Sequence, residues 1–169
     1  AYIVTSGDNQ TADIWNAQNG AKLLTLYGHG DAVTSAAFSP DSTRLATSSW
    51  DRHVKIWDVA TGQELFDIAG HERDLNTVAF SPDGTRIVTS SWDHTVQVWN
   101  VAPSREVLTL DNGSTITFKQ GGELAYSPDG TRLAAANSDL TPSIWELKTG
   151  KLLFQLVGHT DLVTIITYS

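Results

Sequence analysis

The sequence contains no cysteine and no methionine among its 169 residues. Without cysteine there is no disulfide framework, thiolate metal site or cysteine nucleophile, so we expect stability to come from packing alone. Because no methionine precedes Ala1, we also expect the sequence to be part of a longer chain. Basic residues are scarce: 11 Lys and Arg stand against 19 Asp and Glu, giving a net charge of −8. A chain of this charge is repelled by phosphate backbones, which argues against nucleic acid as a partner.

Long hydrophobic runs are absent as well. No apolar stretch approaches the roughly 18 residues of a membrane-spanning helix, and no basic and apolar leader segment precedes the patterned region. We therefore expect a soluble protein with no membrane partner. The sequence carries no signal that names a compartment, and among compartments we favour the cytoplasm.

Four tryptophans recur at nearly constant intervals along the chain. Trp15, Trp57, Trp99 and Trp145 are separated by 42, 42 and 46 residues, and a Ser-Pro-Asp triplet recurs with them. A period of this length, with several short apolar segments in each copy, is typical of repeat architectures rather than of a domain with a single core. The sequence therefore predicts about four repeats. The triplets lie at 39–41, 81–83 and 127–129.

Each repeat reads as four short antiparallel strands, which we call a, b, c and d in chain order. In one copy, turn residues such as Pro82 and Gly84 separate runs rich in β-branched residues. Strand c carries apolar side chains on both faces, since Val98 points one way and Trp99 the other. Each sheet must then be covered on both sides, as in the radial stack of a propeller. The runs of this copy lie at 75–80, 85–91, 95–99 and 107–110.

Two further elements recur, a Gly-His pair before strand a and an Asp six residues before the repeat tryptophan, and one repeat tryptophan begins a Trp-Asp dipeptide. With these elements the whole chain resembles the WD40 family. The resemblance implies an all-β fold of WD40-type β-propeller blades, four blades' worth in this chain. The elements are Gly28-His29, Gly70-His71 and Gly158-His159, then Asp51, Asp93 and Asp139, and Trp57-Asp58.

We expect residues 1–169 to form a single repeat region that begins and ends within a blade and not at a blade boundary. Residues 1–28 supply strands b to d of blade 1, and 159–169 supply a strand a with nothing after it. In WD40 proteins a strand from one terminus completes the blade begun by the other, which implies a strand-swapped closure here. Two interpretations stay open: two chains close one eight-bladed ring, or the chain is part of a longer propeller. The other blades are 29–70, 71–112 and 113–158.

The resemblance also implies a buried polar tetrad in each regular blade, built from a loop His, a turn Asp, a strand-b hydroxyl and the strand-c Trp. Blades 1 and 4 depart from this pattern, so we expect them to be less stable than the regular blades. The predicted tetrads are His29, Ser49, Asp51, Trp57 and His71, Ser91, Asp93, Trp99. The departures are Gly7 and Asn9 in blade 1, and Asn112-Gly113, Asn137 and an insertion at 118–121 in blade 4.

Ser, His and Asp in one set suggest a hydrolase triad, but a nucleophilic site is needed once, whereas these residues recur in successive blades. We therefore expect a structural network and no catalysis. Two further histidines, His53 and His94, lie one residue out of register with each other, and nothing is clustered at metal-ligand spacing. We expect no metal and no cofactor.

Trp50 and Trp92 are the two tryptophans outside the strand-c register. Each precedes the turn Asp at the end of the blade where the Gly-His pairs also lie, which we call the His-bearing face. In WD40 proteins these positions contact partners, and exposed aromatic anchors with polar neighbours suit such contacts. The alternative is that both tryptophans only pack locally, on each other or on Arg52 and Arg73. The predicted contact residues are Asp8, Trp50, Trp92, Ser138, Ala32, Thr34, Asp74, Asn76, Leu162 and Thr164.

The predicted function is a non-catalytic scaffold whose His-bearing face binds a protein or peptide, with assembly of two chains as one option. Two alternatives remain: a regulatory or sensor module of a larger signalling protein, and a propeller fragment with no selected partner. The sequence does not name the partner, the number of blades or any flanking domain.

Overall fold

The computed structural model contains β-strands as its only regular secondary structure in the part of the chain that it describes, residues 1–101, 107–110, 123–136 and 140–169. The strands form four antiparallel sheets, in each of which neighbours in sequence are neighbours in space. Sheet A holds β1–β3, sheet B β4–β7, sheet C β8–β11 and sheet D β12–β15. The strands are β1 (Tyr2–Ser6), β2 (Ala12–Asn16), β3 (Lys22–Leu26), β4 (Val33–Phe38), β5 (Arg44–Ser49), β6 (His53–Asp58), β7 (Glu64–Ala69), β8 (Leu75–Phe80), β9 (Arg86–Ser91), β10 (Val96–Asn100), β11 (Val107–Leu110), β12 (Leu124–Tyr126), β13 (Arg132–Ala135), β14 (Ser143–Glu146) and β15 (Lys151–Gln155).

The predicted all-β fold of four-stranded blades is confirmed. Sheets B, C and D each contain strands a to d in order, and sheet A contains three strands that correspond to b, c and d. The segment 159–169, predicted as a strand a, belongs to none of the four sheets. Its role as a closing strand therefore stays a prediction.

The Ser-Pro-Asp triplets form the a-to-b turns through one repeated set of hydrogen bonds. In the first, the Ser39 hydroxyl donates to Asp41 Oδ1 at 2.6 Å and accepts from the Arg44 amide at 3.0 Å. Hydrogen bonds from Ser39 and Thr43 lower the pKa of Asp41 to about 2. The same turn recurs at Ser81 and at Ser127. These turns form because a short polar side chain satisfies backbone groups that a reversing chain leaves unpaired.

The sheets pack face to face, and successive residues of one strand enter different cores. In β5, Leu45 packs with the sheet A residues Ile14 and Leu26, whereas its neighbour Ala46 packs with Leu75 of sheet C. A third core joins sheets C and D around Val98, Leu133 and Trp145. Full burial of such side chains stabilises the fold by about 1.5–3 kcal/mol each. The expectation that each sheet needs cover on both faces therefore holds for sheets B and C.

A second contact repeats between the first residue of strand b in one sheet and the last residue of strand a in the next. The Tyr2 ring stacks on Phe38 with centroids 6.2 Å apart, and the Arg44 guanidinium lies 5.5 Å from the Phe80 centroid. Arg44 Nη2 also donates to the Gly84 carbonyl at 2.8 Å. Sheet B thus contributes Phe38 to its junction with sheet A and Arg44 to its junction with sheet C.

The same spacing extends to the end of the chain. Tyr168 lies 42 residues after Tyr126, which itself lies 46 residues after Phe80. Burial raises the pKa of Tyr168, and the charges of Arg132 and Asp129 act on its hydroxyl. The repeat spacing of these aromatic residues therefore continues to Tyr168.

Candidate functional site

The d-to-a loops and the b-to-c turns meet at one end of the sheets and form the His-bearing face. In sheet B the Trp50 amide donates to the Ala32 carbonyl at 3.0 Å, and in sheet C the Trp92 amide donates to the Asp74 carbonyl at 2.9 Å. These bonds tie each b-to-c turn to the start of strand a. The predicted grouping of Gly-His pairs, turn aspartates and extra tryptophans at one end is therefore present in these two sheets.

A tetrad of polar side chains lies below this face in sheet B. His29 Nδ1 lies 2.8 Å from Asp51 Oδ2, and His29 Nε2 lies 2.8 Å from Thr47 Oγ1. Trp57 Nε1 donates to the same hydroxyl at 2.8 Å. Because Asp51 only accepts, Nδ1 carries the imidazole proton, and Thr47 donates to Nε2 while it accepts from Trp57. The chain of donors therefore runs from Trp57 through Thr47 and His29 to Asp51.

Sheet C repeats this arrangement with the same distances. His71 bridges Asp93 and Thr89 at 2.8 Å each, and Trp99 donates to Thr89 at 2.8 Å. A Cβ atom on Gly70 would lie 2.6 Å from Trp99 Cη2, closer than two such atoms can approach. The Gly-His pair therefore has a steric cause here, since only glycine leaves room for the tryptophan ring beneath the loop.

The hydroxyl of each tetrad is Thr47 or Thr89, whereas the sequence analysis named Ser49 and Ser91. Alternate residues of a strand share a face, so the spacing alone allows either the threonine or the serine of each strand to face the tryptophan. Register separates them, because Trp57 pairs with Leu45 and Thr47 is the next residue on that face, within reach of a tryptophan diagonal to it. Ser49 lies two residues further along.

The two serines have a different structural role. Ser49 Oγ donates to the Asp31 carbonyl at 3.0 Å and accepts from the Asp51 amide at 3.0 Å. Ser91 makes the same bonds to Arg73 and Asp93. Each serine joins the d-to-a loop to the b-to-c turn, and neither is hydrogen-bonded to the tetrad histidine as a triad nucleophile would be.

The tetrad carboxylates stay ionised despite their burial. Burial alone raises the pKa of Asp93, but hydrogen bonds from the side chains of His71 and Thr95 and from the Thr95 amide hold it well below its usual range. Asp51 behaves in the same way, with burial outweighed by bonds from His29, Gly30 and His53. Each carboxylate therefore orients a histidine and a loop at once.

Blades 1 and 4 keep only parts of this network. In sheet A, Trp15 Nε1 donates to Thr5 Oγ1 at 2.8 Å, which is the same pairing as Trp57 with Thr47. In sheet D, Ala135 occupies the position of the threonine, and the buried Trp145 Nε1 has no hydrogen-bond partner among the described residues. Sequence reasoning missed this departure. The departures noted at Asn112-Gly113, 118–121 and Asn137, together with Asp139, lie outside the described residues.

Exposure differs among the predicted contact residues. Trp50 is 46% exposed, and Asp8, Leu162 and Thr164 are exposed as well, whereas Trp92 is half-buried and Ala32 is buried. The half-buried remainder is Thr34, Asp74 and Asn76. Ser138 lies outside the described residues. Trp50 is thus the most prominent apolar group of the b-to-c turns in sheets B and C.

A cleft of about 460 Å³ opens on the His-bearing face beside Trp50. Its walls come from the b-to-c turn of sheet B and the two d-to-a loops that flank it. The residues at its edge are Gly30, Asp31, Trp50, Asp51, Arg52, His53, Ala69 and His71. Among the described residues, no group of three or more metal-ligating side chains is gathered in one place. The cleft offers an aromatic ring, one guanidinium group and two carboxylates to a ligand.

Comparison with known families identifies two of the repeats. The family model described as WD domain, G-beta repeat matches residues 20–58 and 62–100, which span the sheet B and sheet C tetrad tryptophans. These two segments are WD40 repeats. Among the described residues, no helix has the length and apolarity to cross a membrane.

Particular relatives share one short stretch each with this chain. Coronin-7 of Mus musculus is 44% identical over 52 residues, which are 31% of this chain and 6% of that protein. Angio-associated migratory cell protein of Homo sapiens is 46% identical over 44 residues, 26% of this chain and 10% of its own length. The guanine nucleotide-binding protein subunit beta of Dictyostelium discoideum is 32% identical over 50 residues, which are 30% of this chain and 14% of that protein. The matches thus span only 6% to 14% of these relatives.

Proposed function

We propose that this chain is a non-catalytic scaffold that binds a protein or peptide through its His-bearing face. The observation that supports this function is Trp50, which is 46% exposed at the edge of a cleft and held by a hydrogen-bonded turn. A rigid, partly exposed tryptophan with polar neighbours is the kind of residue that dominates interface energies. WD40 repeats generally mediate contacts between proteins, which agrees with this proposal.

The polar tetrads favour a structural rather than a chemical role. Their groups are saturated by one another, and both histidines are buried beneath the loops. The hydroxyl in contact with each histidine is Thr47 or Thr89, which is fully buried and accepts from a tryptophan, so it is not open to a substrate as a triad nucleophile must be. We infer that the tetrads hold the loops in place so that the face above them keeps one shape.

The test is a double substitution of Trp50 and Trp92 by Ala in the full chain. Peptides of 12 residues would first be selected on the wild-type protein from a random phage-displayed library, and their affinity then measured for each variant. We expect the double variant to lose at least tenfold in affinity, since a hot-spot tryptophan contributes about 2 kcal/mol or more. Phe154→Ala is the matched control, because Phe154 is 48% exposed on the outer strand β15. Equal affinity in the double variant would contradict the proposal.

A second candidate concerns assembly: two chains close one eight-bladed ring, each giving its final strand to the other. It is favoured by the spacing of Tyr168, which lies 42 residues after Tyr126 as Phe80 lies 42 residues after Phe38. With the register of Ala37 against Ala46 carried over, Thr167 of one copy would pair with Val4 of the other. The alternative, a module of a larger signalling protein, is favoured by the relative that is named as a subunit of a guanine nucleotide-binding protein.

Engineered cysteines test this assembly cleanly because the chain has none of its own. Val4→Cys combined with Thr167→Cys should give a covalent dimer of twice the 18.3 kDa chain mass under mild oxidation. Val4→Cys with Thr164→Cys is the control, since its second cysteine is out of register. A cross-link within one chain, or no cross-link with a native mass of one chain, would rule out the two-chain ring.

A further inference from the structure

The b-to-c turns share an unusual backbone feature that the sequence motifs do not reveal. One residue in each of the four turns has a positive φ, and in no case is that residue glycine. These residues occupy one position of the repeat, since they follow each other at 42, 42 and 46 residues, and we call them the left-handed turn residues. They are Gln10 (φ 65°), Arg52 (φ 73°), His94 (φ 70°) and Leu140 (φ 68°).

At the opposite end of the sheets, the turn positions with positive φ are mostly glycine. In the c-to-d turns the left-handed positions of the described residues are Gly20, Gly62 and Gly150. In the a-to-b turns they are Ser42, Gly84 and Gly130. Five of these six positions are thus glycine, against none of the four in the b-to-c turns.

This contrast has an energetic meaning. A side chain in the left-handed region brings Cβ close to the following carbonyl oxygen, which costs roughly 1–2 kcal/mol per residue, whereas glycine avoids that clash. Local backbone strain of this kind persists where the side chain is needed for something other than stability. The four side chains also differ from one another in charge, polarity and size. Because one backbone conformation carries four different side chains, we read these positions as variable contacts on the His-bearing face.

Arg52 shows what such a contact can bind. Its side chain is exposed at the edge of the Trp50 cleft and forms no ion pair or hydrogen bond among the described residues. The two carboxylates that line the same cleft are already engaged: Asp51 accepts from His29 and Gly30, and Asp31 accepts from the Ala32 amide. The guanidinium group is therefore a permanent cation with unused donors beside an exposed aromatic ring.

We propose that the left-handed turn residues determine partner specificity on the His-bearing face, and that Arg52 binds a carboxylate side chain of the partner. A carboxylate matches the two parallel N–H donors of a guanidinium group, which makes the contact directional as well as strong. The apolar part of the same partner residue or its neighbour packs on Trp50. This inference rests on the proposed binding function of the face, which it makes more specific by naming an acidic peptide segment as the occupant.

The experiment compares Arg52→Gly with Ser42→Gly, two substitutions that relieve the same backbone strain at opposite ends of the sheets. The probes are three fluorescein-labelled pools of 12-residue peptides that share one aromatic residue and are otherwise acidic, basic or uncharged. Binding is measured by fluorescence polarisation at 150 mM NaCl, where long-range repulsion from the net charge of −8 is screened. The melting temperature of each full-length variant is measured in parallel.

We expect the acidic pool to bind the wild type best, and Arg52→Gly to lose about tenfold or more in affinity for it. Ser42→Gly should keep wild-type affinity, and both variants should melt about 2–4 °C higher than the wild type. Arg52→Lys should retain part of the affinity because the charge remains. Preference for the basic or uncharged pool, or an Arg52→Gly variant with unchanged affinity, would overturn the inference.

Loss of binding in Trp50→Ala without loss in Arg52→Gly would refute the inference about Arg52 and leave the binding function intact. If neither substitution affects peptide binding, the proposed function fails together with the inference. If the melting temperature of Arg52→Gly does not rise, the backbone at position 52 is not strained, and the inference loses its basis.

Discussion

Trp57 and Thr47 are joined by a hydrogen bond of 2.8 Å between the indole Nε1 and the threonine Oγ1, and Trp99 and Thr89 are joined in the same way. In each pair the hydroxyl also contacts a histidine that orients a turn aspartate. The repeat tryptophan is therefore connected through one threonine to the loops of the His-bearing face. The threonine hydroxyl is therefore the hydrogen-bond partner of both the buried tryptophan Nε1 and the buried histidine Nε2.

Thr89→Val should destabilise the protein although it preserves the shape of the side chain. The substitution leaves Trp99 Nε1 and His71 Nε2 buried without a partner, at a cost of about 1–3 kcal/mol in the free energy of unfolding. Urea denaturation would measure it. Thr61→Val in an exposed turn is the control, and a Thr89→Val variant as stable as this control would show that the tetrad contributes little.

Ala135→Thr should stabilise sheet D. The new hydroxyl would occupy the position of Thr47 and Thr89 and accept from the buried Trp145 Nε1, which has no partner among the described residues. A satisfied buried hydrogen bond contributes about 1 kcal/mol, which thermal unfolding should register as a higher melting temperature. Ala135→Val separates the hydroxyl from the added volume, because valine fills the same space without it. If both variants behave alike, packing rather than hydrogen bonding decides the outcome.

Gly70→Ala should destabilise the loop above sheet C. The added Cβ would lie 2.6 Å from Cη2 of Trp99, whose ring is fixed by its bond to Thr89. Such overpacking costs about 1–3 kcal/mol. Gly7→Ala is a matched control, since a Cβ there has no atom within 4 Å. Chemical denaturation of both variants would test this, and equal losses would show that the tryptophan ring moves aside easily.

Acid should destabilise the folded state through the tetrad aspartates. The pKa of Asp93 is held below its usual value of 3.8 in the folded protein, so its contribution to stability is fully present above that value and is lost as the pH falls below it. Melting temperatures between pH 7 and pH 2 would show this decline. Asp93→Asn should be less stable at pH 7 but lose less on acidification, and an identical pH dependence would exclude Asp93 as a source.

Much of the fold follows from the sequence because the determinants are local and repeated. The Ser39 turn is specified by side chains that bond to their own neighbours, and the spacing of the tryptophans sets the number of sheets. The pairing of His29 with Asp51 followed from the family resemblance and matches the geometry. These features need no knowledge of distant contacts.

The remaining features depend on register and on backbone conformation. Ser49 and Thr47 lie on the same face of one strand, and only the pairing of Trp57 with Leu45 decides which of them meets the tryptophan. Positive φ at Arg52 has no signal in the sequence, because glycine would be the expected residue there. The half-burial of Trp92, in contrast to the exposure of Trp50, likewise depends on the packing around each turn.

The contact of Arg44 with Phe80 gives the stack of sheets a direction. One side of sheet B provides a guanidinium group, and the facing side of sheet C provides a ring and the Gly84 carbonyl. Since the two partners at this junction are unlike, it is a heterologous interface, in which the strand-b side of one sheet meets the strand-a side of the next. An engineer could therefore recode one junction, for example by exchanging the arginine and the aromatic residue for another complementary pair, and so dictate which sheet follows which.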